Sequence, residues 1–315
     1  MLSRIADSLY WLNRYMERSE GILRILHTHY ILSFDTGTPP ETAWQPVLQL
    51  FSHADAATLQ ELSRSHASAL HHLVADAGNI NSVKSLVGKA RENARGIQDN
   101  ITKEVWEQVN QLYHWMQEPA FEERLRSPEC LPLIDEALSR TILFVGIADT
   151  TMPRGLGWSF MNLGRFTERC LLTVQLAAVQ FAAIDFDLNQ ERDILHWRHL
   201  LFNLSGYEHH LKTYRSSQTN YNVVDQIILD KNFPRSVKYT LNRMEKYLKD
   251  VVQGDAVRSQ EAEQMYLAFS RFNSTVQFAD MHYIRQHGLQ PFLEGVRQDI
   301  FQFSTRLGQL FFSYS

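Results

Sequence analysis

The chain has 315 residues, 44% of them hydrophobic and 21% charged, with a formal net charge of -4. That length is enough to bury a large core in one domain or two, and the composition is that of a folded globular protein rather than a disordered one. The mild negative charge argues against broad nucleic-acid binding, which concentrates Lys and Arg.

In chain order, apolar residues at Ile5, Leu9, Leu12, Met16, Leu23, Leu26 and Tyr30 recur at steps of three, four and seven, which predicts a long amphipathic helix from Ser3 to Leu32. Asp35 to Pro40 reads as a loop, followed by helices over Trp44 to Phe51 and Ala56 to Asp76. Ser82 reads as a helix start, with helical pattern to Glu118 bent at Gly88 and Gly96, and Pro119, Pro128 and Pro132 punctuate the way to a helix over Leu133 to Ala148. Gly155 to Gly157 precedes a second long helix, with Phe160, Leu163, Leu171, Val174 and Phe181 on its apolar side. Helices are predicted at Gln190 to Leu204, Asn222 to Leu229, Ser236 to Val252, Ala256 to Arg285 and Leu289 to Phe312. No segment alternates as a strand does, so the expected fold is an all-α helical bundle.

The two long helices carry one pattern twice. Arg-(Tyr/Phe)-x-Glu-Arg occurs as Arg14-Tyr15-Met16-Glu17-Arg18 and as Arg165-Phe166-Thr167-Glu168-Arg169. At spacings of three and four residues the two cations and the anion share one arc of the helix. Each arc sits in an apolar helix, so its charges must be paired or must bind something charged.

The pattern is part of a longer parallel. Arg14 to Arg165 is a step of 151, Trp44 to Trp197 and Ser52 to Ser205 are 153, and Asp76 to Asp230, Ser82 to Ser236 and Lys84 to Lys238 are 154. An offset that rises slowly along the chain is what a doubled unit with small loop insertions leaves behind. The expected organisation is two pseudo-symmetric halves, 1–150 and 151–315, packed as one globular unit.

The chain resembles the alpha-E domain family of bacteria. The resemblance rests on Met1 to Trp11 leading into the first Glu-Arg pattern, on Ala90-Arg91-Glu92-Asn93-Ala94-Arg95, on Gly157 to Arg169, and on Phe233-Pro234-Arg235-Ser236-Val237, in the family's order along most of the chain. It implies an all-helical protein whose partners are a circularly permuted ATP-grasp ligase and a transglutaminase-like protein, in peptide or amide-bond synthesis or modification. Cys170 stands where the family usually has a small residue such as Ala.

The residues themselves allow two readings. Arg14, Arg18, Arg165 and Arg169 would clamp a phosphate or carboxylate, with Glu17 and Glu168 orienting the guanidinium groups. Arg91 and Arg95, four apart, would add donors, as would Arg235 near a helix start that favours anions. An anionic peptide or activated acyl intermediate suits that site, and acyl or peptidyl transfer beside a separate ligase is the enzymatic version of it. Neighbouring arginines hold Glu17 and Glu168 ionised, which weighs against either as a general base. The alternative is a non-catalytic scaffold that docks the ligase, its triads being structural ion pairs.

Other chemistry finds no support in the sequence. Asp193, His196, His199 and Glu208-His209-His210 lie close along the chain, but paired Glu-x-x-His and His-Glu-x-x-His motifs are lacking, so no metal is expected. Gly-x-Ser-x-Gly, Gly-x-Gly-x-x-Gly and Walker A patterns are also lacking, so no cofactor is expected and ATP chemistry falls to the partner. Cys130 and Cys170 show no disulfide or metal-ligand spacing and read as core thiols of a reducing cytoplasm. Arg4 and Asp7 stand where a secretory signal needs apolar residues, and Gln175 and Gln180 interrupt the longest apolar run, Leu171 to Ile184. No membrane association is expected.

Overall fold

A computed structural model describes residues 1–36, 39–254 and 260–312, leaving aside the side chains of 33–36 and 42. Among the described residues there are sixteen α-helices and no strand, so the chain is all-α. None of these helices is long and apolar enough to cross a membrane. Two compact units form, one from residues 11–153 and the other from residues 1–10 with 154–315.

The 11–153 unit holds most of α1 (Ser3–Thr36), then α2 (Pro40–Phe51), α3 (Ala56–Ser63), α4 (His66–Val74), α5 (Val83–Gly96), α6 (Lys103–Gln117), α7 (Pro119–Leu125) and α8 (Cys130–Thr151). Residues 37 and 38 of the expected loop lie outside the described residues. The helix expected over Ala56 to Asp76 is two helices, because Ser65 leaves helical geometry and its hydroxyl accepts from Ser68 N to cap α4. Ser82 starts α5 as expected: it is fully buried and its side chain accepts from Ser85 N. Gly88 lies within α5, and Gly96 ends it. Pro119, expected only to interrupt helices, sits at the first turn of one, α7. The core side of α1 meets α2 and α4 at fully buried Trp44, whose indole donates to His66 Nδ1 at 2.7 Å and whose ring lies 4.7 Å from that of His29.

The other unit holds the start of α1 with α9 (Leu156–Ala182), α10 (Ile194–Asn203), α11 (Tyr207–Thr213), α12 (Thr219–Val224), a π-helical turn at Asp225–Leu229, α13 (Val237–Gly254), α14 (Gln260–Phe278), α15 (Met281–His287) and α16 (Leu289–Phe311). Helix α9 is buried along most of its length and packs against α13, α16 and α10. The helix expected from Gln190 begins only at Ile194, where the Asp193 side chain accepts from His196 N. The helix expected over Ala256 to Arg285 breaks at Ala279: the Asp280 side chain accepts from Tyr283 N and starts α15 afresh. Residues 255–259 lie outside the described residues. Trp197, fully buried, donates to Asn220 Oδ1 at 2.9 Å, and fully buried Ser236 accepts from Tyr239 N at 3.0 Å.

Candidate functional site

In the 11–153 unit, Arg14 and Glu17 are buried, with 7% and 3% of their surface exposed, and Arg18 is half-buried. The Arg14 guanidinium lies 4.7 Å from the centre of the Trp11 ring, which stacks on Tyr15. Arg18 Nη1 donates to Asn81 Oδ1 at 3.1 Å, tying α1 to the turn that leads into α5. That turn is built internally: Asn81 N donates to Asn79 Oδ1, and buried Asn79 donates to His72 O.

Lys89 comes to the same place. Its ammonium donates to Ile80 O at 2.9 Å and lies 5.7 Å from the centre of the Tyr15 ring. Loss of water around the ammonium, and then repulsion from Arg18, pushes the Lys89 pKa below its ordinary value. Arg91, two positions on, is turned about 200° around α5 and faces α6 instead. Its Nε donates to Asn110 Oδ1 at 2.8 Å, its Nη1 to Glu92 Oε1 at 3.0 Å, and its guanidinium lies 4.6 Å from the Tyr113 ring centre. Arg95 is exposed and shares Glu92. The structure thus joins Arg91 to Arg95 through Glu92, and sets Lys89 beside Arg18.

In the other unit, Glu168 and Arg169 are buried and Arg165 is half-buried. The guanidinium carbons of Arg165 and Arg169 each lie 5.5 Å from the centre of the Phe166 ring. Phe166 stacks in turn on Tyr247 at 6.0 Å. Burial raises the Tyr247 phenol above its ordinary pKa, against the opposing pull of Arg243, a Trp158 hydrogen bond, Arg165 and Arg154. Arg243 also lies 5.1 Å from the Tyr239 ring and Arg154 3.9 Å from the Trp158 ring. Three guanidinium groups are therefore near enough to this buried phenol to act on its charge. Arg235 reaches α9 through its backbone: the Thr173 hydroxyl lies 2.8 Å from Arg235 O and 3.1 Å from Arg169 O, donating to these carbonyls one turn beyond the triad.

All six triad residues and Arg235 are engaged by partners. Sequence reasoning missed Lys89, Arg154 and Arg243. For two of them a signal was present, since Lys89 and Arg243 stand 154 apart, the same spacing as Ser82 and Ser236. Both cysteines are buried, and burial pushes the Cys170 thiol up to about 12. Among the described residues no group of three His, Cys, Asp or Glu side chains is placed to hold a metal ion. Asp193 is occupied as a cap, His209 pairs with Asp230 at 2.8 Å, and His210 with Gln226.

Residues 1–312 match the Alpha-E family, described as a predicted alpha-helical domain with a conserved ER motif. The chain is also similar to uncharacterized proteins of Mycobacterium bovis, at 24% identity over 282 residues, and of Mycobacterium tuberculosis, at 24% and 23%. These matches cover 79% of this chain and 30% of each relative, so the chain spans about a third of the length of the curated relatives it matches. No solved structure matches it. With the two Glu-Arg helices in place and the family match running through both units, the chain belongs to the Alpha-E family.

Proposed function

We propose that this protein binds an anionic peptide or activated acyl intermediate at the cations of its Glu-Arg helices. It does so beside an ATP-grasp ligase in peptide or amide-bond synthesis or modification, with a transglutaminase-like protein as a further partner. The observation that carries the reading is the nearness of like charges: Lys89 and Arg18 bonded to the successive residues Ile80 and Asn81 in one unit, and Arg154, Arg165 and Arg243 over the Trp158, Phe166 and Tyr239 rings, all three acting on Tyr247, in the other. Like charges held close repel by about 1 kcal/mol or more, depending on the local dielectric. A bound phosphate or carboxylate removes that repulsion and accepts charge-assisted hydrogen bonds from the same groups. Glu17 and Glu168 act as orienting carboxylates. The reading also takes the chain as one unit doubled: each buried indole, Trp44 and Trp197, donates to a residue 154 apart from its counterpart, His66 and Asn220.

The test is calorimetric titration of the full chain with phosphate, pyrophosphate and triglutamate, on wild type and on Lys89→Met and Arg243→Met. Binding that weakens with salt, and by about tenfold or more in either variant, supports the reading. Variants that bind as wild type does, or a wild type that binds none of the three, overturn it.

A second reading, the docking scaffold, has its own observation. Phe278 is 88% exposed and Leu267 49%, eleven residues apart on α14 and hence on one face of it. Loss of ligase capture in Phe278→Ser, with anion binding unchanged in both Lys89→Met and Arg243→Met, would favour the scaffold.

A further inference from the structure

A cavity of about 520 Å³ opens in the unit of residues 1–10 and 154–315, lined by none of the Glu-Arg helix residues, between the loop after α9, the α12 region and α15. Its volume lies in the range of small-molecule sites. Its lining is polar and carries both signs of charge: Glu191 and Asp225 on one hand, Arg285 on the other, with Asn189, Tyr214 and Tyr221 among them. The opposite charges do not neutralise one another. The Arg285 guanidinium lies over the Tyr221 ring at 5.4 Å, and the Asp225 carboxylate accepts from the Tyr214 hydroxyl at 2.8 Å. Among the described residues neither carboxylate forms an ion pair with Arg285.

The walls are held before any ligand arrives. Asn220, fully buried, donates from Nδ2 to Leu188 O and Gln190 O and accepts at Oδ1 from Arg192 N and the Trp197 indole. These bonds bracket Asn189 and Glu191 and fix the loop that presents them. The loop leaves α9 through two successive non-glycine residues of positive φ, Asp185 at 50° and Phe186 at 56°, an arrangement that costs energy and persists only where surroundings enforce it. Tyr221 reaches across to the same loop, its hydroxyl donating to Asn189 Oδ1 at 2.8 Å. Asp225 opens the π-helical turn, and such turns occur frequently at functional sites.

We infer that this cavity is a binding site for a small zwitterion of amino-acid or dipeptide size, its carboxylate taken by Arg285 and its ammonium by Glu191 and Asp225. A guanidinium matches a carboxylate with two parallel donors, and the two acidic groups supply acceptors to an ammonium. The side-chain amide of Gln218 lines the same space and matches a peptide bond, which offers one donor and one acceptor, while those of Asn189 and Asn222 are held in place by Tyr221 and Asp187 and by Ser216. A cation would leave Arg285 unused, and an anion would leave Glu191 and Asp225 unused. The site stands apart from the anion-binding reading above and does not depend on it.

The experiment uses the full chain and L-Ala-L-Ala as probe, with N-acetyl-Ala-Ala and Ala-Ala amide as the versions lacking one charge and glucose as an uncharged polar control. Calorimetry or chemical-shift titration should show saturable binding of Ala-Ala, weakened about tenfold or more by either cap. Arg285→Gln, at an exposed position, should bring the acid and the amide to equal affinity, and Glu191→Gln should narrow the gap between the free and acetylated amines. Lys89→Met and Arg243→Met should leave Ala-Ala binding as in wild type. Absence of saturable Ala-Ala binding, binding of either capped peptide as tight as that of Ala-Ala, or binding of glucose in its place would overturn the assignment. The wild-type peptide series decides the matter even if a variant fails to fold.

Discussion

Gly164 lies against the main chain of Tyr10: a Cβ built on it falls on the Tyr10 carbonyl oxygen and 2.9 Å from the carbonyl carbon. The start of α1 and the middle of α9 approach backbone to backbone at this point, one residue before Arg165. Neither side of that contact is a flexible side chain that can move aside. In an unobstructed helix interior, replacing Gly with Ala gains up to about 1 kcal/mol. Here Gly164→Ala should instead lose about 3 kcal/mol, at the upper end of overpacking penalties. Urea denaturation measures it, and an unchanged or higher midpoint would show that the contact is looser than described.

Asn220 should be the most costly polar residue to remove in the cavity wall. Asn220→Ala strands the Trp197 indole and frees the loop at Leu188 and Gln190, where each lost hydrogen bond is worth about 1 kcal/mol and a buried orphan donor costs more. A loss of about 3 kcal/mol is expected, together with faster amide exchange at Arg192, whose N–H donates to Asn220 Oδ1. A fall in stability with exchange there unchanged would separate the fold from the loop.

Lys89 makes a pH prediction with a definite sign. Its folded pKa is lowered below the unfolded value, so the charged form is less favoured in the native protein than in the unfolded chain. As pH rises through the folded pKa towards the unfolded one, the native state releases its proton first and the unfolded state holds more protons, so stability rises. The stability of wild type relative to Lys89→Met should therefore increase between pH 7 and about pH 10. Paired urea titrations check this, and a difference that is flat or falls with pH would show that the ammonium is neither stripped of water nor repelled by Arg18 in the folded protein.

Cys170 should be inert in the native state. Its thiol is fully buried and pushed up to about 12, so almost no thiolate exists at neutral pH and no reagent reaches it. An aromatic disulfide reagent should label it only as fast as the protein opens, with the rate climbing through the denaturation transition. Rapid labelling of Cys170 in native buffer would contradict the burial of α9 at this position.

The helices were legible because their signals are local. The apolar stride of α1 and the Ser82 start of α5 can be read within a few residues. The breaks at Ser65, Asp193 and Asp280 also lie in the sequence as cap residues, but a continuous apolar pattern outweighed them. The Glu-Arg helices were located for the same reason, since three side chains at fixed helical spacing share an arc wherever the helix goes.

The companions of those arcs were not legible. Arg91 and Lys89 are near neighbours in sequence with the same charge, and only the rotation of α5 sends Lys89 to Arg18 and Arg91 to Asn110 and the α6 rings. Arg154 and Arg243 both act on Tyr247 although they lie 89 positions apart. The zwitterionic cavity depends on Asn220 reaching back to Leu188, 32 residues upstream. Sequence by itself determined what a helix carries on each face, because backbone geometry repeats every few residues. Tertiary structure alone decided which faces meet, because pairing between distant segments follows from how whole helices pack and leaves no periodic trace in the chain.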